Sequence, residues 1–269
     1  MSLSNPKLRK AFADKQALKI ITGLSNFDIH KIIQVAKAAE IGGATYLDIA
    51  ANIDIVKAVK QITDLPICVS SIDPVELCKC ASVGADIIEI GNFDIFYNKG
   101  INFSESQVLD LAKEVRVLLP NIDLCVTIPH IFTLSQQLCL ASNLEDIGVD
   151  ILQTEGMSTK FSNVHDNLQY LCQSITQSSS ALSSTYILSS LVDIPVMTAS
   201  GLNSLSAAIA ACYGASGIGI GSAIISLENT YDMSIYIDEI VSSMHCQQLS
   251  TINQHSLVMQ RSVFSSTSV

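Results

Sequence analysis

Charge is scarce in this sequence. Asp, Glu, Lys and Arg make up 15% of its 269 residues, against about 25% in ordinary soluble domains. Hydrophobic residues reach 48% and the mean hydropathy is +0.39. That balance favours two-sided burial, as in a parallel sheet covered by helices, whose strands read as nearly continuous apolar runs. Positive charge is scarcer still: 15 Lys and Arg face 25 Asp and Glu, a formal net charge of −10. An acidic domain repels phosphate backbones, which argues against a nucleic-acid partner. A small anion can still bind where backbone amides supply the positive potential.

No CxxC pair occurs among the eight cysteines, and no histidine stands at zinc-ligand spacing. Cys78 and Cys80, the nearest pair, point different ways on a predicted helix. The cysteines therefore read as buried, reduced thiols. The N-terminus lacks both an apolar signal core and an Arg-rich transit pattern, so no leader is expected there. The uncharged stretch Ala207 to Leu227 is long enough to span a bilayer. Its Tyr213-Gly214-Ala215-Ser216-Gly217 segment interrupts it, so it reads as helix, turn and buried strand, with no membrane partner.

Apolar runs alternate with helical periodicity along most of the chain. Strands are predicted at Leu18–Thr22, Tyr46–Ala50, Ile67–Ser71, Asp86–Gly91, Leu124–Ile128, Asp150–Thr154, Pro195–Ser200 and Gly217–Gly221. Helices are predicted at Ile29–Glu40, Ile55–Gln61, Val75–Ser82, Ser106–Leu118 and Ser135–Ile147, with two more, Val164–Ser174 and Ala181–Leu191, in the long sixth connection. Eight βα units of this length imply an α/β fold, a single (β/α)8 TIM barrel. Residues 1–244 are assigned to the barrel, with Pro6 to Gln16 as a short helix closing its bottom. Residues 245–269, polar and rich in Ser and Thr, are expected to form a weakly ordered tail. Glycines at Gly42-Gly43, Gly84, Gly148 and Gly214 stand where helices end, in positions suited to a left-handed backbone.

In such barrels the site lies at the C-terminal ends of the strands, and phosphate often sits over the last two. Ser200 and Gly201 end the seventh strand, ahead of a cap candidate at Asn203 or Ser204. Gly219, Gly221 and Ser222 end the eighth, ahead of a short helix. These five are the expected phosphate-binding residues, acting through unhindered amides and helix N-termini.

Alternation along the strands sends Lys19, Asp48, Cys68, Ser70, Glu89, Thr127, Gln153 and Glu155 inward. Lys19 should pair with Glu89 or Asp48, either as an acid/base pair or as a structural ion pair low in the barrel. Asn92 and Glu155 fall late enough to contact a ligand, and His130 stands at the fifth strand's mouth, where it could exchange protons near neutral pH. Catalytic candidates are thus Lys19, Asp48, Glu89, His130 and Glu155. A metal held by Asp48, Glu89 and Glu155 is conceivable but lacks a second histidine, and none is assigned. No lysine ends the sixth strand, and Lys160 in the following loop is a poor substitute, so a Schiff-base aldolase has no direct support.

The segments Leu18-Lys19-Ile20-Ile21-Thr22-Gly23-Leu24, Gly42-Gly43-Ala44-Thr45-Tyr46-Leu47-Asp48, Asp86-Ile87-Ile88-Glu89-Ile90-Gly91-Asn92-Phe93-Asp94, Val126-Thr127-Ile128-Pro129-His130 and Gln153-Thr154-Glu155-Gly156 carry a family resemblance. The chain resembles the hypothetical chloroplast open reading frame proteins, the twenty-third of that series, of algal plastids and cyanobacteria. The resemblance spans roughly residues 10 to 240. It implies an aldolase-type, ribulose-phosphate-binding-like barrel, encoded in the plastid and working in its stroma, and supplies no reaction or cofactor. The last two strand ends are also similar to those of sugar-phosphate epimerases and thiazole synthase, though the lysine of the thiazole enzymes has no clear counterpart. Two functions follow as expectations. One is an isomerase, epimerase or lyase of a small phosphorylated metabolite. The other is a barrel that holds a phosphorylated ligand or flavin phosphate without turnover.

Overall fold

Short apolar runs, each followed by a helix, produce eight strands. They are β1 (Ala17–Ile21), β2 (Tyr46–Ala50), β3 (Ile67–Ser70), β4 (Ile87–Ile90), β5 (Asp123–Ile128), β6 (Ile151–Thr154), β7 (Val196–Ala199) and β8 (Gly217–Ile220). Each pairs in parallel with the next, and β8 returns to β1 with Ala17 opposite Gly217 and Ile20 opposite Ile220. The protein is a closed (β/α)8 barrel. A computed structural model describes residues 3–23, 25–91, 93–97, 99–156 and 167–245, with backbone alone at 94–95 and 167–177. The expected tail beyond residue 245 lies outside the described residues, as do Asn92 and Lys160.

The helices are α1 (Pro6–Ala13), α2 (Ile29–Ile41), α3 (Ile53–Lys60), α4 (Pro74–Ser82), α5 (Asp94–Tyr97), α6 (Glu105–Leu118), α7 (Leu134–Asp146), α8 (Asn167–Leu188), α9 (Ser204–Cys212) and α10 (Ser222–Ile225). A further helix covers 230–245. Asn5, Asp28, Asn52 and Asp73 cap four of them, and Ser104–Gln107 and Thr133–Gln136 form capping boxes on α6 and α7.

The sixth connection differs from expectation. In place of two helices it carries one, α8, of 22 residues, residues 164–166 lying outside the described chain. Its Ser-rich middle is a poor helix former and blurs the periodicity. Ala181, Thr185 and Leu188 are nevertheless buried, and Thr185 lies 2.7 Å from Thr154 of β6. Tertiary contact overrides propensity here.

One device recurs at the barrel's lower rim. Gly43, Gly84, Gly148 and Gly214 all have positive φ. Two residues after three of them, a polar side chain accepts the first free amide of the preceding strand. Leu18 N donates to Thr45, Ile67 N to Asp86 and Leu124 N to Asp150, at 2.8–2.9 Å. The turn thus stops the helix and satisfies a strand end that would otherwise be orphaned.

Outward strand residues such as Ile20, Leu47, Val69, Ile88 and Val126 pack under the helices in one continuous core. Inside, Leu3 and the α1 residues Leu8 and Phe12 pack on Ala17, Tyr46, Ile87, Cys125, Ile151 and Met197, an apolar floor at the N-terminal end of the barrel. Above this floor the interior turns polar.

Candidate active site

Two groups of polar side chains stand above the floor, one sealed and one at the mouth. The sealed group is built by strand alternation alone. Lys19 Nζ lies 2.5 Å from Glu89 Oε2 and 3.3 Å from Asp48 Oδ2. Glu89 Oε1 accepts hydrogen bonds from Gln153 Nε2 (2.8 Å) and Thr127 Oγ1 (3.1 Å). Asp48 Oδ1 accepts from Ser70 Oγ at 2.6 Å. All six side chains are buried, with Lys19 at 0% exposure. Glycine at 91 makes the arrangement possible: a Cβ there would stand 2.6 Å from Thr127 Oγ1 and 2.7 Å from Glu89 Oε1.

Two carboxylates share one ammonium, and the electrostatics follow. Burial lowers the proton affinity of Lys19, but Glu89 and Asp48 outweigh it and hold the ammonium well above its ordinary pKa. This lysine stays charged and is no nucleophile near neutral pH. Burial raises Asp48, Lys19 opposes and Glu89 adds to the rise, leaving the carboxyl at about 6. Burial also pushes the Cys68 and Cys125 thiols up, so neither supplies a thiolate.

Asp48, Cys68 and Glu89 bring ligand atoms within 4.8 Å of one another. A cation there would have to displace the Lys19 ammonium and deprotonate a thiol that burial holds neutral. The trio fits a metal poorly, and Glu155, the third expected ligand, belongs to the other group.

That second group joins three loops at the C-terminal ends of neighbouring strands. Glu155 follows β6, His130 follows β5, and Tyr97 ends α5 in the loop after β4. Glu155 Oε2 accepts from the His130 backbone N–H (3.1 Å) and from Tyr97 Oη (3.0 Å), and lies 3.1 Å from His130 Nδ1. The Tyr97 and His130 rings meet edge to face with centroids 5.0 Å apart. Glu155 is 6% exposed and His130 16%, so the carboxylate is the more sheltered of the two. A carboxylate on Nδ1 orients the ring and leaves Nε2 as the atom able to exchange a proton with a ligand. Tyr97 was absent from the sequence-derived candidates. Alternation assigns faces only within strands, and a tyrosine in a one-turn helix inside a loop carries no periodic signal.

The ends of β7 and β8 lie side by side, with Ala199 opposite Gly219. Ser200 (φ 78°) and Gly201 (φ 68°) both adopt the left-handed backbone. For Ser200 that conformation is strained, costing roughly 1–3 kcal/mol. Asn203 is the cap of α9, and its side chain takes the amides of Leu205 and Ser206 at 3.0 Å. Gly221 caps α10 without a side-chain bond, and Ser222 begins that helix exposed. Gly221 also lets β1 come close, since a Cβ would be 3.2 Å from the Ile21 carbonyl oxygen. Gly219 stands deeper: a Cβ there would meet Ile21 Cδ1 at 3.0 Å, Ala199 Cβ at 3.1 Å and Lys19 Cε at 3.4 Å. Its smallness lets the Ile21 and Ala199 side chains of the neighbouring strands close in. Four of the five expected phosphate residues therefore sit at the rim and one in the interior.

The protein family described as "Protein of unknown function (DUF561)" matches residues 3–250. The chain belongs to this family. Within reach of it is "Uncharacterized protein ycf23" of Antithamnion sp., 45% identical over 266 residues that cover 96% of this chain and 95% of that one. The ycf23 relatives are open reading frames of plastid genomes, in line with the resemblance read from the sequence. Solved structures match in fold. Thiamine phosphate pyrophosphorylase from Pyrococcus furiosus is 19% identical with a TM-score of 0.56, over 88% of this chain and 98% of that one. (S)-3-O-geranylgeranylglyceryl phosphate synthase from Thermoplasma acidophilum, in complex with sn-glycerol-1-phosphate, is 16% identical with a TM-score of 0.60, over 90% and 98%. This DUF561 chain thus shares the closed (β/α)8 barrel fold of these proteins. Among its described residues no helix is long and apolar enough to cross a membrane.

Proposed function

We propose that this protein is an enzyme that isomerises, epimerises or cleaves a small phosphorylated metabolite at the C-terminal mouth of the barrel. The observation that carries the reading is the Glu155–His130–Tyr97 constellation: a sheltered carboxylate orienting a histidine at the opening. Positioned proton transfer of this kind contributes about 10²–10⁴-fold to a rate. Glu155 and His130 move the proton. The anion docks on the rim amides around Ser200, Gly201, Gly221 and Ser222, which need no lysine or arginine. Lys19, Glu89 and Asp48 act from below, as a fixed electrostatic floor that positions Thr127 and Gln153.

Two further observations support this reading over Schiff-base chemistry. Residue 155, past the end of β6, is a glutamate, and Lys19, the one buried lysine among the described residues, is tied to two carboxylates. The Pyrococcus and Thermoplasma barrels carry names with phosphorylated compounds, which suits the substrate class. The plastid relatives favour the stroma as the site of action.

The test begins with mass spectrometry of small molecules released from natively purified protein. A phosphorylated compound is expected, and turnover of it should fall about 10²–10⁴-fold in Glu155→Gln and in His130→Ala. Unchanged turnover in both variants would remove the assigned roles. A phosphorylated ligand or flavin phosphate retained without conversion would make the protein a binding barrel.

A further inference from the structure

Two neighbouring helices of the outer ring differ from the rest. Among the described helices of eight residues or more, α8 and α9 alone contain no Asp, Glu, Lys or Arg. From residue 167 to residue 227 the sole charged residue is Asp193. The two helices pack beside each other, and the rings of Tyr186 on α8 and Tyr213, just past α9, meet edge to face at 5.9 Å. Large apolar side chains stand exposed around this pair, with Ser183 and Ser190 beside Tyr186: Leu205 is 68% exposed, Tyr186 59%, Ile209 43% and Tyr213 39%. Leu205 and Ile209 lie one turn apart and share a face of α9, with Cys212 exposed one turn further on. A helix without charge is the pattern of a buried helix, yet this one shows large apolar side chains to solvent. Contiguous exposed apolar area marks an interaction surface.

We propose that a second copy of this chain docks on the α8–α9 face to form a two-fold symmetric dimer. The charge distribution selects this occupant. At a net charge of −10, two copies repel each other through most of their surfaces. On α8 and α9 no carboxylate faces a carboxylate, so self-association costs least there. The same face offers no cation to an anionic membrane or to a nucleic acid. Its aromatic centre suits a protein interface, where tyrosines concentrate binding energy. A two-fold axis places each patch against its own copy, which closes the assembly.

Sedimentation equilibrium of the full chain tests this, together with the double variant Leu205→Lys/Ile209→Lys and a control, Val117→Lys, at the 79% exposed position on α6. The two lysines bring the net charge from −10 to −8, so overall repulsion between copies falls and a loss of association in the double variant reports on the patch itself. The wild type and the control are expected at twice 28.9 kDa, and the double variant at 28.9 kDa with an unchanged circular dichroism spectrum. Site-resolved maleimide labelling adds a second measure. Cys212 should react at least several-fold more slowly as concentration rises, while exposed Cys139 on α7 keeps its rate. A wild-type monomer at tens of micromolar, a dimer that survives both lysines, or wild-type protein that instead sediments with phosphatidylglycerol vesicles would each overturn the proposal.

Discussion

The barrel holds two carboxylate sites, one sealed and one at the strand ends, and they differ in their partners. In the sealed layer, Glu89 and Asp48 face an ammonium that stays charged, with hydroxyl and amide donors satisfying other oxygens. At the mouth, Glu155 faces a histidine and a tyrosine at the opening. A lysine held well above its ordinary pKa does not exchange its proton near neutral pH, whereas an oriented imidazole can. Depth accounts for the difference. Water is excluded from the first site, so its charges must be matched or neutralised. Carboxylates on one barrel axis thus differ in depth and in the partners they meet.

Replacing the sealed cation should have the largest effect on stability. Lys19→Met leaves Glu89 and Asp48 buried without a cation and is expected to cost about 3–5 kcal/mol, read from urea unfolding. A loss below about 1 kcal/mol would mean that the layer is neutral and the contrast with the mouth is wrong. Next comes Glu155→Gln, which keeps the shape of the side chain. Turnover of the metabolite should drop about 10²–10⁴-fold, while unfolding free energy stays within about 1 kcal/mol of wild type. The reverse pattern would move Glu155 to the structural class.

The third prediction concerns pH. Asp48 is raised to about 6 from an ordinary 3.8, so the folded state holds a proton that the unfolded chain releases earlier. Its contribution is complete below about pH 4 and is lost as the pH rises through about 6. The stability of wild type relative to Asp48→Asn should therefore fall by on the order of 1–3 kcal/mol across that window. A flat difference would show that Asp48 titrates as an ordinary carboxylate. Smallest is Tyr97→Phe, which removes one donor from Glu155. A three- to ten-fold loss of turnover is expected, with stability changed by about 0.5–1.5 kcal/mol. No change in either would place the tyrosine outside the site.

Much of this contrast was legible in the sequence, for a definite reason. A period of two sorts strand residues into inward and outward sets, so the inward course of Lys19, Asp48, Glu89 and Gln153, and the pairing of Lys19 with an acid, followed from residues alone. The strand boundaries expected from the sequence agree with the observed ones to within a residue. Loops carry no such period. Tyr97 escaped notice because α5 is a single turn, and α8 read as two helices because its serines weaken the local signal. Gly219 shows the same limit in another form: the sequence shows a glycine at a strand end, but not that a Cβ there would press on Ile21 and Ala199 of the neighbouring strands.

The sequence by itself determined the eightfold βα rhythm, the closed barrel, the family and which strand residues face the interior, because periodicity and turn chemistry are local properties. Tertiary structure decided the rest. Only closure of the barrel could bring Lys19 of β1 to Glu89 of β4, sort the acids by depth and join Glu155, His130 and Tyr97 from three loops. Those outcomes depend on distances between strands that are far apart in the chain, and no local pattern encodes them.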